Sequence, residues 1–207
     1  MAYPIVDAPY GFAPVNLTGG TPFAGATREI PIASNYGTSI FNGDLVVPLT
    51  SGTIALAAST TTIPATGFLG VFLGCSYTVP ATGQKVFSNY YPANTVASDI
   101  TAYICDDPTA LFKVVHTGTG VNTAQSLTPT YVARSASIFK NAAIVLNTGV
   151  VATGRSRMAI SSIATTNTLP LRVVDVVRDT ANAAGSFCEL VVRIPLAAHS
   201  YHTALGV

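Results

Sequence analysis

The chain is cut, from residue 28 onward, into short runs of β-branched, aromatic and aliphatic residues, and no segment keeps a helical period for twelve residues or more. In the first half the runs are LVVPL (45–49), GTIALAA (52–58), GFLGVFLGCSY (67–77), KVFSNYYPA (85–93), ITAYI (100–104) and LFKVVH (111–116). Each ends near Gly, Pro, Asn, Asp or Ser, residues that supply the positive φ, fixed φ or local side-chain hydrogen bonds a turn needs. Such punctuation predicts a mainly β protein of many short antiparallel strands, arranged as barrel or sandwich lobes of a jelly-roll-like kind.

The second half has the same texture. TYVARSASIF (130–139) alternates as one strand, and NAAIVLNTGVV (141–151), RMAISSIA (157–164), LPLRVVDVVRD (169–179) and FCELVVRIPL (187–196) follow. In the last of these Cys188, Leu190 and Val192 fall on one face, with Glu189, Val191 and Arg193 on the other. LRVVDVVRD is only imperfectly two-faced, and DTANAAGS (179–186) between the two reads as a hairpin or a short helical turn. Gly118 and Gly120 interrupt the pattern until about residue 130, which suggests a β lobe over 31–116 and a second lobe, or a continuation of the first, over 117–207.

Residues 1–30 differ from the rest, with prolines at 4, 9, 14 and 22 and the Gly19-Gly20 pair. Proline lacks a backbone donor and glycine weakens regular structure, so a helix or a central strand is disfavoured there. Two readings stand. The segment is an extended N-terminal arm that docks apolar side chains (Tyr3, Ile5, Tyr10, Phe12 and Phe23) on a neighbouring subunit, or it wraps strand-like on its own domain.

Composition bears on what covers such a fold. Of 207 residues 49% are hydrophobic and only 9% charged, against roughly 25% charged in ordinary soluble domains. Few charges mean poor solubility for a free monomer, so the surface is expected to be covered by a partner or by further copies. A net charge of +1 is too small for the positive field of nonspecific nucleic-acid binding, and no stretch reaches the ~20 apolar residues of a membrane span. The opening MAYPIVDAPYGFAPV lacks the basic start and apolar run of a signal peptide, so synthesis in a cytoplasm is expected. Cys75, Cys105 and Cys188 are then expected as buried reduced thiols.

Catalytic signatures are sparse. There is no G-x-S-x-G elbow, P-loop, dinucleotide fingerprint or H-E-x-x-H pair. His199 and His202 are too few ligands for zinc without a cysteine or carboxylate beside them. Asp106-Asp107-Pro108 reads as a turn between two strands rather than a carboxylate pair in a cleft. Gly154-Arg155-Ser156-Arg157 offers two cations that could hold an anion, but reads more simply as a solvated turn. No catalytic residue, metal or cofactor is expected.

Several phrases together resemble a family of tailed-phage capsid-stabilising proteins, also called cement or head-decoration proteins, common among cyanophages and other phages of marine bacteria. APYGFAPVNLTGG (8–20) matches its A-P-x-G-x-x-P arm and Gly-rich step, and NGDLV (42–46) its G-D-x-V strand. YICDDPTALFKV (103–114) matches its D-D-P-x-x-x-F segment, and KNAAIVLNTGVVATGRS (140–156) its K-N-A and T-G-x-S stretch. TLPLRVVDVV and DTANAAGSFCELVVRIPLAAH resemble its closing strands. Lys113-Val114-Val115 stands where relatives often carry Glu-Val-Gln, and Pro195 where Asn is frequent. The resemblance implies a non-enzymatic virion protein, made in the host cytoplasm. It would bind the outer surface of the phage head as a homotrimer at threefold and local threefold positions and tie subunits of the major capsid protein together. Tyr3, Tyr10, Phe12 and Phe23 are the first candidates for contacts with the capsid or other copies, and Arg155 and Arg157 the second. A β-rich tail, fibre or other polymer subunit is the alternative within a virion. An enzyme or sugar-binding module would need a polar pocket built from His116, the Asp106-Asp107 pair and scattered tyrosines.

Overall fold

A computed structural model describes residues 6–117, 130–182 and 187–206. As expected, the protein is mainly β, with short strands in barrel-like sheets. The larger assembly uses β10 (Ala110–His116), β11 (Asn141–Val145), β12 (Ala159–Ala164), β13 (Leu171–Val176) and β14 (Cys188–Arg193) in the order β10-β12-β11-β13-β14. Pairing of β14 back onto β10 over Phe112–His116 closes the ring. Its neighbours are antiparallel, except that β10 meets β12 in parallel at His116 and Ile160. On β14 the inward face the alternation selects, Cys188, Leu190 and Val192, is buried in the core, while Glu189 on the other face is also buried, bonded by Tyr10. The three inward residues pack with Phe112, Val114, Ile144, Ile160 and Val173; each such large apolar side chain contributes about 1.5–3 kcal/mol through burial.

The imperfect alternation of LRVVDVVRD has a local cause. A bulge lies between the pairs Val173–Val192 and Asp175–Val191, so Val173 and Val176 both turn inward while Arg172 and Asp175 stay exposed. One extra residue in a strand resets its inward face.

The second sheet runs β2-β9-β6-β4-β5, from β2 (Arg28–Pro31), β4 (Leu45–Pro48), β5 (Ile54–Leu56), β6 (Gly70–Val79) and β9 (Thr101–Cys105). A parallel bridge between Ile32 and Ile54 brings its two ends together. The strand β7 (Gln84–Ser88) pairs with the far half of β6 as a hairpin, and a ribbon of β3 (Ile40–Phe41) and β8 (Tyr90–Tyr91) contributes Ile40 and Tyr91 to the interior. The central strands of this sheet are buried on both faces. Val46, Phe72 and Ile104 line its own core, while their neighbours Leu45, Val71 and Cys105 join the core of the first barrel. A strand buried on both faces reads as a continuous apolar run, which is why GFLGVFLGCSY carries so little polar alternation.

Of the two N-terminal readings the second holds, and two other expectations are corrected. The strand β1 (Ala13–Leu17) pairs with the first half of β10, and Phe12 is 1% exposed inside the main core. The segment from Val6 to Pro31 therefore wraps on its own domain; β1 tolerates Pro14 because it is an edge strand with a bulge between Pro14 and Asn16. Next, β10 belongs to the same sheet as β11–β14, so the sheets part before Ala110 rather than at residue 117; residues 118–129, where a break was read, lie outside the described residues. Finally, TYVARSASIF is not a strand. Thr130 caps α1 (Tyr131–Ser135) by accepting from the Ala133 amide, and buried Arg134 donates to the Thr180 carbonyl 2.7 Å away. A capped turn with a tertiary anchor outweighs weak β alternation over so short a segment. The segment after β13 is helical at α2 (Arg178–Ala181), one of its two expected forms.

Candidate functional site: the seam between the barrels

Three of the phrases that carry the family resemblance meet at one place. Gly11 donates its amide to the Met158 carbonyl, Phe12 to Gly43, Asn42 to Gly154 and Ser156 to Asn42, at 2.9–3.1 Å. Residues from A-P-x-G, N-G-D and T-G-x-S are thus laced across the seam between the barrel and the second sheet by backbone hydrogen bonds. Gly11 holds φ +84°, and a Cβ on it would stand 2.5 Å from that of Ser156 and 2.8 Å from the Gly43 carbonyl oxygen. Only a residue without a side chain fits that crossing.

Asp44, 2% exposed, fastens the seam. Its Oδ2 accepts from the Phe41 amide at 2.8 Å and its Oδ1 from the Ser156 hydroxyl at 2.5 Å, while Ser156 Oγ accepts from the Met158 amide at 2.9 Å. Burial pushes the carboxyl up to about 6, against the pull of its two hydrogen bonds. A carboxyl raised in the folded state favours folding in its neutral form. Its contribution is therefore complete below about pH 4 and is lost as pH rises through about 6. Measured as the difference from an Asp44→Asn protein, the native chain should gain about 3 kcal/mol between about pH 7.5 and pH 4, read from urea midpoints.

Beside the seam lies a cleft of about 400 Å³ whose lining includes Phe41, Asp44, Leu56, Leu146, Asn147 and Met158. Gly149 forms one wall, where a Cβ would stand 2.3 Å from the Phe41 ring. That ring is held from behind by stacking on Tyr90, at 5.4 Å between centroids and 9° between planes. Asn147 donates its Nδ2 to the Arg157 carbonyl, leaving its buried Oδ1 without a hydrogen-bond partner.

The six sequence-predicted contact residues do not form one surface. Tyr3 lies outside the described residues. Tyr10 is partly buried and donates its hydroxyl to Glu189 Oε1 at 2.5 Å, with Lys113 Nζ 3.0 Å from the same oxygen and 5.7 Å from the Tyr10 ring centre. Burial, then the Glu189 hydrogen bond, raises the Tyr10 hydroxyl far above the ordinary range. This tyrosine is an internal strap from the N-terminal segment to the barrel. Phe12 is core, and Phe23 packs half-buried against it. Arg155 is exposed on a turn whose backbone bridges Val150 and Asn42, and Arg157 is half-buried.

The remaining candidates resolve individually. Asp107 accepts from the Thr109 amide and hydroxyl, each at 2.7 Å, as a turn carboxylate does. Asp106 accepts from the Tyr201 hydroxyl and pairs with Arg28 Nε at 2.6 Å. His199 is wholly buried beside Phe68, and burial lowers its imidazole pKa below the usual histidine value. Among the described residues no group of three His, Cys, Asp or Glu side chains is placed to hold a metal ion. Cys75 and Cys105 are pushed up by burial to about 12 and about 11, which makes them inert thiols. No family model matches the chain, and no curated protein or solved structure matches it either.

Large apolar side chains at the surface include several the sequence did not single out. Phe139 is 79% exposed and sits at φ +67°. A bulky residue in the left-handed region costs about 1–3 kcal/mol unless its surroundings impose it; here the Phe139 amide is pinned to the Val173 carbonyl at 3.0 Å. Phe87, on the outer strand of the β6–β7 hairpin, is 71% exposed, and Val132 and Val96 are also exposed.

Proposed function

We propose that this protein is a non-enzymatic virion component that coats the outside of an assembled phage head, as a trimer at threefold positions, and stabilises it by bridging capsomers. The observation that carries this reading is Phe139, a phenyl ring presented to solvent from a strained backbone. Strained backbone of this kind clusters at functional sites, and a buried aromatic anchor is what dominates interface energetics. Phe87 on its projecting hairpin is a second anchor of the same kind. The scarcity of charge over the whole chain supports the same conclusion, because it suits a surface covered in its working state. The closed five-stranded barrel with a second sheet packed against it supports it too, since a clamp has to hold two neighbours at fixed separation.

The contacts are then displayed side chains on a finished fold, and Phe12 is withdrawn from them because the core already occupies it. Replacing Phe139 and Phe87 by serine should leave the circular dichroism and the urea midpoint nearly unchanged. Each change should weaken binding to purified, undecorated heads by about thirtyfold, the factor that corresponds to an anchor of about 2 kcal/mol. Full occupancy of heads by the double variant at native concentrations would overturn the reading of these two residues.

A further inference from the structure

Residues 196–206 form a clasp around His199, a buried titratable group that the coating role does not use. The Phe68 amide donates to the Ala198 carbonyl at 2.8 Å, the Ser200 amide to the Phe68 carbonyl at 2.9 Å and the His202 amide to the His199 carbonyl at 2.9 Å. Gly67, at φ +71°, lets the segment lie this close, since a Cβ there would stand 2.7 Å from the Ser200 nitrogen. Tyr201 reaches across to Asp106, which also pairs with Arg28, and the Arg28 guanidinium lies 5.3 Å from the Tyr201 ring centre. Inside this clasp His199 is 0% exposed. Its Nδ1 accepts from the Tyr201 amide at 3.3 Å, so the neutral ring carries its proton on Nε2. That nitrogen is buried and faces the Asp106 backbone without a hydrogen bond of ordinary geometry.

We propose that the clasp is an acid-released latch: a second proton on His199 frees residues 199–206 from the Phe68 segment and the Asp106 turn. That proton would sit on Nδ1 and point at the Tyr201 N–H, so an acceptor becomes a donor opposed to a donor where water does not reach. Burial disfavours the charged ring, and so does His202, whose ring centre is 6.3 Å away; Asp106 and Asp107 pull the other way without overcoming them. Tyr201, its ring centre 4.9 Å off, has its hydroxyl pushed up to about 12 and stays neutral, and Arg28 is occupied by Asp106. The closed form therefore binds the proton less readily than the open one. Its stability is complete above about pH 6.5 and is lost as pH falls below that value. Asp44 at the seam acts with the opposite sign, which separates opening of the latch from loosening of the whole fold. The latch stands or falls independently of the function proposed above.

Amide hydrogen exchange on the full chain, corrected for intrinsic exchange rates, tests it. Between about pH 7.5 and about pH 5 the protection of the Phe68, Ser200 and His202 amides should fall by about fivefold or more, the factor that matches the loss of one buried hydrogen bond. The amides of β14 should keep theirs. The fall should follow the titration of the His199 C2 proton, read by NMR on the native protein. His199→Gln offers an acceptor and a donor but takes no proton, and should keep the three amides equally protected at both pH values. If that variant is already open at about pH 7.5, the C2-proton titration of the native chain decides alone. Protection that does not change with pH, a loss shared by β14, the same loss in a closed His199→Gln protein, or a midpoint near pH ~4, where a carboxylate such as that of Asp106 titrates, would overturn the proposal.

Discussion

Gly11→Ala should lower the stability of the protein by about 2–5 kcal/mol. Two costs add: a side chain at positive φ contributes about 1–2 kcal/mol, and forcing a methyl into a filled space contributes about 1–3 kcal/mol. Both apply at Gly11, where the added carbon would stand 2.5 Å from Ser156 Cβ and 2.8 Å from the Gly43 carbonyl oxygen. Neither neighbour can give way cheaply, because Gly43 is backbone and Ser156 is held by Asp44 and Met158. Against a typical total of about 5–15 kcal/mol, this is enough to shift a urea midpoint by a large fraction of its value. An unchanged midpoint would mean that the seam is not close-packed at this point.

The second large effect falls on the other side of the same crossing. Ser156→Ala removes one oxygen and almost no volume, yet leaves Asp44 with a single donor and the Met158 amide without its acceptor. Orphaning buried polar groups of this kind costs about 2–4 kcal/mol. The loss should be larger at about pH 8 than at about pH 5, because the neutral carboxyl at low pH needs its lost donor less. Urea titrations of the native and Ser156→Ala proteins at both pH values would check this, and a loss independent of pH would separate Ser156 from the ionisation of Asp44.

The strands were legible because turn residues bracket nearly every run, and because FCELVVRI shows its inward face by simple alternation. The N-terminal segment was harder. Its prolines argue against a central strand, and β1 is indeed an edge strand, but whether it lay on its own domain depended on Phe12 finding space in a core assembled from residues as distant as Met158 and Ala198. Deletion of residues 1–30 would therefore remove β1 and Phe12 from the fold, and would test stability rather than attachment. The α1 segment carries no visible helical period, because a single capped turn is too short for its period to show. The seam was invisible for a different reason: Gly11, Asp44 and Ser156 each lie in a recognisable phrase, but nothing local says that the phrases converge. Sequence signals of turn chemistry mark such residues only as loop positions. Phe139 was read as part of a strand, and its exposure follows from a positive φ that no propensity for phenylalanine suggests.

Coating of a capsid is tested most directly by an image of particles. Purified chain added to undecorated, expanded phage heads should appear as extra density at threefold and local threefold positions of the outer surface, with Phe139 and Phe87 turned into the contacts. Density on the tail alone, or heads that stay bare at saturating protein, would contradict it.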